Sequence, residues 1–109
     1  STWSDFRIPG FNCRDTTIAE NTKNVAGVKV VRPNGNPIKP SKHNCDILFN
    51  FVMEGKMTLK ANGQKPNKLT SGDAFVIPPD MVTEYSNVST DLELLEVSLP
   101  GDFTTYYDA

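Results

Sequence analysis

GDAFVIPPDMVTEYSN, residues 72–87, is the stretch on which the reading of the fold turns. A Gly-Asp turn at 72–73 launches a short β-run, Pro78 and Pro79 end it, and a second β-run follows over 81–87. Proline has no amide hydrogen to donate to a strand ladder, so the pair marks a corner and not a strand interior. Upstream, ILFNFVMEG (47–55) is nearly all apolar as far as Met53. Strand alternation puts Leu48, Asn50 and Val52 on one face and Phe49, Phe51 and Met53 on the other. Both faces are apolar, so both need cover. A core covers one; an N-terminal arm or a partner subunit is expected over the other.

Between these stretches, KMTLKA (56–61) turns Met57, Leu59 and Ala61 inward and its lysines outward. Asn62-Gly63 then predicts a type I′ hairpin, which needs positive φ at both residues. Lys56, Lys60, Lys65 and Lys68 gather around that hairpin, as lysines do where a sheet edge must be kept unpaired. Further out, SNVSTD (86–91) reads as a turn and LELLEVSL (92–99) as the last clear strand, stopped by Pro100-Gly101. On the N-terminal side, VAGVKVVR (25–32) reads as a strand and RPNGNPIKPSK (32–42) as a loop. Residues 1–24, with Trp3, Phe6, Ile8 and Phe11, read as an irregular arm lying along the outside of a sheet. Residues 104–109 read as a peripheral tail. Short strands with a turn signal every eight to twelve residues, and no helical periodicity, indicate an all-β barrel or sandwich.

A chain of 109 residues is one domain with a single core. Its net charge of −2 supplies no electrostatic footprint for nucleic acid or an anionic membrane. No apolar run approaches the roughly 20 residues that span a bilayer. The opening STWSDFRIPGF lacks the charged, apolar and small succession of a secretory signal, so none is expected. The missing initiator methionine leaves open a segment of a longer chain. Cys13 and Cys45 are too few for a disulfide scaffold and are expected as reduced thiols of a cytoplasmic protein.

The glycine and proline spacing resembles the second motif of the cupin family, G-x5-P-x-G-x2-H-x3-N. Gly72, Pro78 and Asn87 fall on its positions, Asp80 stands in place of the second Gly and Thr83 in place of His. The first motif, G-x5-H-x-H-x4-E-x6-G, counts back from Gly55 to Leu48 at Glu, His43 at the second His and Ser41 at the first. The resemblance implies a cupin-type double-stranded β-helix, a small jelly-roll barrel, over 25–103. It also implies where a divalent metal would sit, between those two His, the Glu and the His of the second motif. Hydroxyls at 41 and 83 are poor ligands for a divalent cation and Leu48 is none, while catalytic sites use three protein ligands or more. No cofactor is therefore expected. A divalent transition metal is the alternative: a shifted register would put His43, Cys45 and Asn50 in the two His and Glu roles, with His43 and Cys45 as a soft metal site or a thiolate pair.

The barrel interior is expected to offer His43, Ser41, Leu48, Asn50, Val52, Met57, Thr83 and Tyr85 to a small organic ligand, a mostly apolar lining with few polar anchors. A filled barrel has the same composition. Glu84, Glu93, Glu96, Asp46 and Asp80 are expected to face solvent, since an inward Glu96 without a partner would be costly. The apolar stripe Phe49, Phe51 and Met53, with the arm, is the expected homodimer contact. The resulting expectation is a metal-free ligand-binding, sensing or regulatory cupin domain that leans away from catalysis. A metal-dependent dioxygenase or isomerase is the alternative, and a structural or dimerisation domain of a larger protein is a second.

Overall fold

The computed structural model describes residues 2–107 and contains eleven strands and one short helix among them. Ser1 of the expected arm and residues 108 and 109 of the expected tail lie outside the described residues. In chain order the elements are β1 (Ser4–Asp5), β2 (Phe11–Asp15), α1 (Ile18–Asn21), β3 (Gly27–Pro33), β4 (Ser41–His43) and β5 (Ile47–Glu54). They continue with β6 (Lys56–Ala61), β7 (Asn67–Thr70), β8 (Ala74–Val76), β9 (Thr83–Ser86), β10 (Glu93–Leu99) and β11 (Thr105–Tyr107). A six-stranded sheet runs β1-β2-β3-β10-β5-β8 and a five-stranded sheet runs β11-β4-β9-β6-β7. All pairings are antiparallel. The fold is all-β, as expected, with the core enclosed between the two sheets. No helix among the described residues is long and apolar enough to cross a membrane.

Pro78 and Pro79 lie in the corner that carries the chain from β8 in one sheet to β9 in the other. Asp80 adopts φ 66°, a left-handed conformation that Asp tolerates better than most residues. Its amide donates to the His43 carbonyl at 2.8 Å, tying the corner to β4. Gly55, between β5 and β6, has φ 76°, and a Cβ there would lie 2.8 Å from the Leu92 Cα. Only glycine fits that turn.

The alternation on β5 is as read from the sequence. Leu48, Asn50 and Val52 are fully buried, and Phe51 and Met53 are 40% and 47% exposed. The arm does not cover them. Residues 1–24, expected as an irregular arm over the outer face, instead carry β1 and β2, which extend the six-stranded sheet on the β3 side. Phe6, Ile8 and Phe11 turn into the core cluster, where Phe11 meets Tyr85 edge-on at 5.6 Å between ring centroids. Burying three such side chains contributes several kcal/mol, about 1.5–3 each, which the outside of a sheet could not match.

Three further segments differ from the sequence reading. Ser41 and Lys42, placed in a loop, belong to β4, where Ser41 pairs with Thr83. The tail, expected to be peripheral, forms β11 against β4, its Thr-Tyr-Tyr run well suited to a strand. The Asn62-Gly63 hairpin is not type I′. Gly63 has positive φ and Asn62 is not among the positive-φ residues; the turn closes by Gln64 N–H donating to the Ala61 carbonyl. Pro66, which cannot pair, keeps β7 from starting before Asn67 and so widens the loop.

Candidate functional site

Four strands bring the expected site residues into one interior. Ser41 and His43 come from β4, Leu48, Asn50 and Val52 from β5, Met57 from β6, and Thr83 and Tyr85 from β9. All eight are 3% exposed or less. The period of two along each strand explains why each set shares the inward face. Phe11, Leu94 and Phe75 belong to the same buried cluster. Two clefts open at the surface, the second of them reaching Met57. One of about 450 Å³ is lined by Gly10, Pro33, Ile38 and Val88, and the other, between β6 and β7, by Lys56, Thr58 and Lys68.

His43 has both ring nitrogens engaged. The Cys45 amide donates to Nδ1 at 3.0 Å, so the ring proton is assigned to Nε2, which donates to the Ile77 carbonyl at 2.7 Å. Burial lowers its pKa below the ordinary imidazole value, against the pull of the Ile77 carbonyl, and the nearby Arg7 charge lowers it further. His43 is thus a neutral imidazole at neutral pH, held by two backbone groups. It has no free lone pair for a metal and no free nitrogen for proton transfer.

The Cys45 thiol does not meet the His43 ring. The strand ends at His43, the chain bends, and the Cys45 thiol turns to the carbonyls of Ile47 and Leu99, each at 3.1 Å. Burial pushes the thiol pKa up, leaving it protonated. Ser41 and Thr83 offer hydroxyls and Leu48 offers carbon at the three remaining ligand positions. These residues do not fit a divalent metal. No group of three or more His, Cys, Asp or Glu side chains placed to share an ion occurs among the described residues.

The strongest polar feature of the interior was not expected. Glu96, assigned to solvent by the sequence reading, is 3% exposed, and its partner comes from the arm. Arg7 Nε donates to Glu96 Oε1 at 3.1 Å and Nη2 to Oε2 at 2.9 Å, a bidentate pair. Nη1 donates to Thr105 Oγ1 at 3.3 Å, and the guanidinium lies 5.1 Å from the Phe6 ring centroid and 5.3 Å from that of Phe103. The Tyr107 hydroxyl donates to the Arg7 carbonyl. Burial opposes the Arg7 charge most, but Glu96 together with Tyr85 and Tyr107 outweighs it and the pKa is raised. Glu96 shares its face with Leu94 and Ser98, and that alternation was legible. Its partner lies 89 residues away, so no local pattern could reveal it.

Beside this pair, on the strand facing Glu96, stands Asn50. Its Nδ2 donates to the Tyr85 hydroxyl at 3.5 Å, and its Oδ1 is buried without any hydrogen-bond partner. Burial holds the Tyr85 phenol well above its usual pKa, so it is neutral. The other acids follow expectation: Asp46 and Asp80 are exposed, and Glu84 and Glu93 are partly so.

The cupin domain family model matches residues 27–98. No curated protein sequence matches the chain. Among solved structures, a cupin-like protein from Thermotoga maritima superposes with a TM-score of 0.76 at 17% identity, over 100% of this chain and 85% of that one. A Streptomyces nucleoside dehydratase described as a β-barrel superposes with a TM-score of 0.76 at 14% identity, over 99% of this chain and 84% of its own. Salicylate 1,2-dioxygenase from Pseudoaminobacter salicylatoxidans gives 0.73 at 18% identity, over 93% of this chain and 30% of the larger enzyme. At these identities the likeness concerns the fold.

Proposed function

Because the chain belongs to the cupin family, we propose that it is a metal-free member that binds a small organic ligand inside its barrel and serves as a sensing or regulatory module. The observation that carries this reading is Asn50 Oδ1, an acceptor sealed in the core with nothing to accept from. A buried unsatisfied polar group costs about 1–3 kcal/mol. A ligand bringing an N–H or O–H donor to this point would recover that cost, with Tyr85, Ser41 and Thr83 as further polar anchors and Leu48, Val52 and Met57 as apolar walls. His43 is a structural neighbour of this site.

The test is a panel of small polar compounds screened by thermal shift against the wild-type chain and Asn50→Leu. A hydroxyl- or amide-bearing compound should raise the wild-type melting temperature and lose that effect in the variant. Equal shifts in both proteins would remove Asn50 from the site. The enzyme reading draws on the dioxygenase and dehydratase among structural relatives, and the donor set does not favour it. Stoichiometric metal in the purified protein, lost on His43→Ala, would reinstate it.

A homodimer is the second part of the reading. On the outer face of the six-stranded sheet Phe51 pairs with Leu95, Phe49 with Val97 and Val76, and Leu95 and Val97 with Val30 and Val28. This makes one apolar surface across four strands, with Val76 64% exposed. Such a patch suits a self-complementary contact. Phe6, Ile8 and Phe11 of the arm turn inward, so this reading rests on the sheet face. Two unpaired, buried thiols suit a reducing compartment such as the cytoplasm.

A further inference from the structure

Arg7 occupies a cradle that is complete for a guanidinium: a bidentate carboxylate, the Thr105 hydroxyl, and two aromatic rings, Phe6 and Phe103. The Tyr85 phenol feels the Arg7 charge, and Asn50, opposite Glu96 on the neighbouring strand, has its Oδ1 without a partner. Phe6 and Ile8 on either side are anchored at 6% and 1% exposure, whereas the Arg7 side chain keeps 15% exposure. A rotation of Arg7 alone would empty the cradle without unseating the arm.

We infer that the ligand of this barrel is an organic cation, a guanidinium or alkylammonium compound, that exchanges with Arg7 for Glu96. The inference rests on the ligand-binding reading above and names the ligand class. Its basis is charge. A buried ion pair contributes little net stability, so replacing one cation by another is close to neutral, whereas leaving Glu96 buried and alone is strongly unfavourable. Whatever displaces Arg7 must therefore bring a positive charge. A compound with planar paired donors matches the carboxylate best, and one with a further N–H can reach Asn50 Oδ1. Arg7 then acts as the chain's own competing ligand, setting the threshold at which the outside cation enters.

The experiment is calorimetric titration of the full chain with methylguanidinium, agmatine and the neutral isostere N-methylurea, with the Asn50 side-chain amide followed by NMR. Wild type should bind both cations saturably, one per chain, with the Asn50 resonances moving, and should ignore N-methylurea. Arg7→Ala removes the internal competitor and should bind the cations about tenfold tighter or more. Glu96→Gln should bind neither. If that variant does not fold, Arg7→Met with Glu96→Gln, which buries no charge, should show the same loss. Saturation in Arg7→Ala with a silent wild type would make Arg7 a fixed structural part and overturn the inference. Binding of N-methylurea alone at Asn50 would overturn the cation class and leave the ligand-binding reading intact. No binding by either protein would sink both.

Discussion

Asn50 and Phe51 are adjacent on β5, yet the amide is sealed from solvent and the phenyl ring is 40% exposed. Around Asn50 the interior holds an ion pair, a phenol and an imidazole. Around Phe51 the exterior holds Met53, Val76 and Leu95. Inside, nearly every polar atom has a partner fixed by the fold; outside, the apolar surface has none. The contrast teaches that sidedness comes from strand period alone, whereas its energetic cost depends on which distant residue arrives to meet each group. Arg7 arrives for Glu96. For the outer face, the arriving surface is the one assigned above to a second copy.

The largest effect should come from splitting the interior pair. Glu96→Ala leaves the Arg7 charge largely buried and should lose about 3–5 kcal/mol in urea unfolding, whereas Arg7→Met with Glu96→Leu should cost far less or nothing. A loss below about 1 kcal/mol in the single variant would show that Arg7 simply turns to solvent, and the polar interior would carry less weight than its geometry indicates.

His43 gives the next effect, read through pH. Its folded pKa is depressed, so on acidification the unfolded chain takes up a proton near the ordinary imidazole value while the folded chain does not. Stability should be complete above about pH 6.5 and fall below it, by at most about 1.4 kcal/mol per pH unit, until the folded imidazole also titrates. Arg7, Glu96 and Asp80 all act on the ring, so the profile belongs to the cluster. His43→Gln should flatten this limb of the stability curve. An unchanged slope would show that another group produces it.

Asn50→Leu removes the unpaired acceptor and should hold or raise stability by up to about 1 kcal/mol, measured by thermal unfolding of ligand-free protein. A clear loss would mean that Oδ1 already has a partner, such as a buried water. The smallest effect on folding should come from the exterior. Phe51→Asp should leave the unfolding free energy of the subunit within about 0.5 kcal/mol while abolishing the dimer in sedimentation velocity. A wild-type chain that sediments as a monomer at high concentration would end the dimer reading.

The comparison also marks the limit of what one sequence discloses. Leu48, Asn50 and Val52 could be assigned to the interior because a period of two needs only neighbours, and the Pro78-Pro79 corner because proline's missing donor is a local fact. Thr83 and Ser41 were placed together by motif spacing, and β4 and β9 pair them. Arg7 and the tail were beyond reach. Both lie outside residues 27–98, and their roles consist of contacts with residues about ninety or a hundred positions away. Glu96 was misjudged for the same reason. An acid on an apolar strand reads as outward unless its partner is known, and here both strand faces are apolar enough to hide the choice.

The hydroxyl of Tyr107 on the Arg7 carbonyl makes the two ends of the described chain neighbours. Thr105 meets the same residue from the same strand. Clipping the last strand would therefore be felt first at the opposite terminus: β1 would fray, Phe6 would gain solvent, and a protease cutting near residue 104 would be followed by cuts before residue 10. Wear at one end of this protein should propagate to the other through a single arginine.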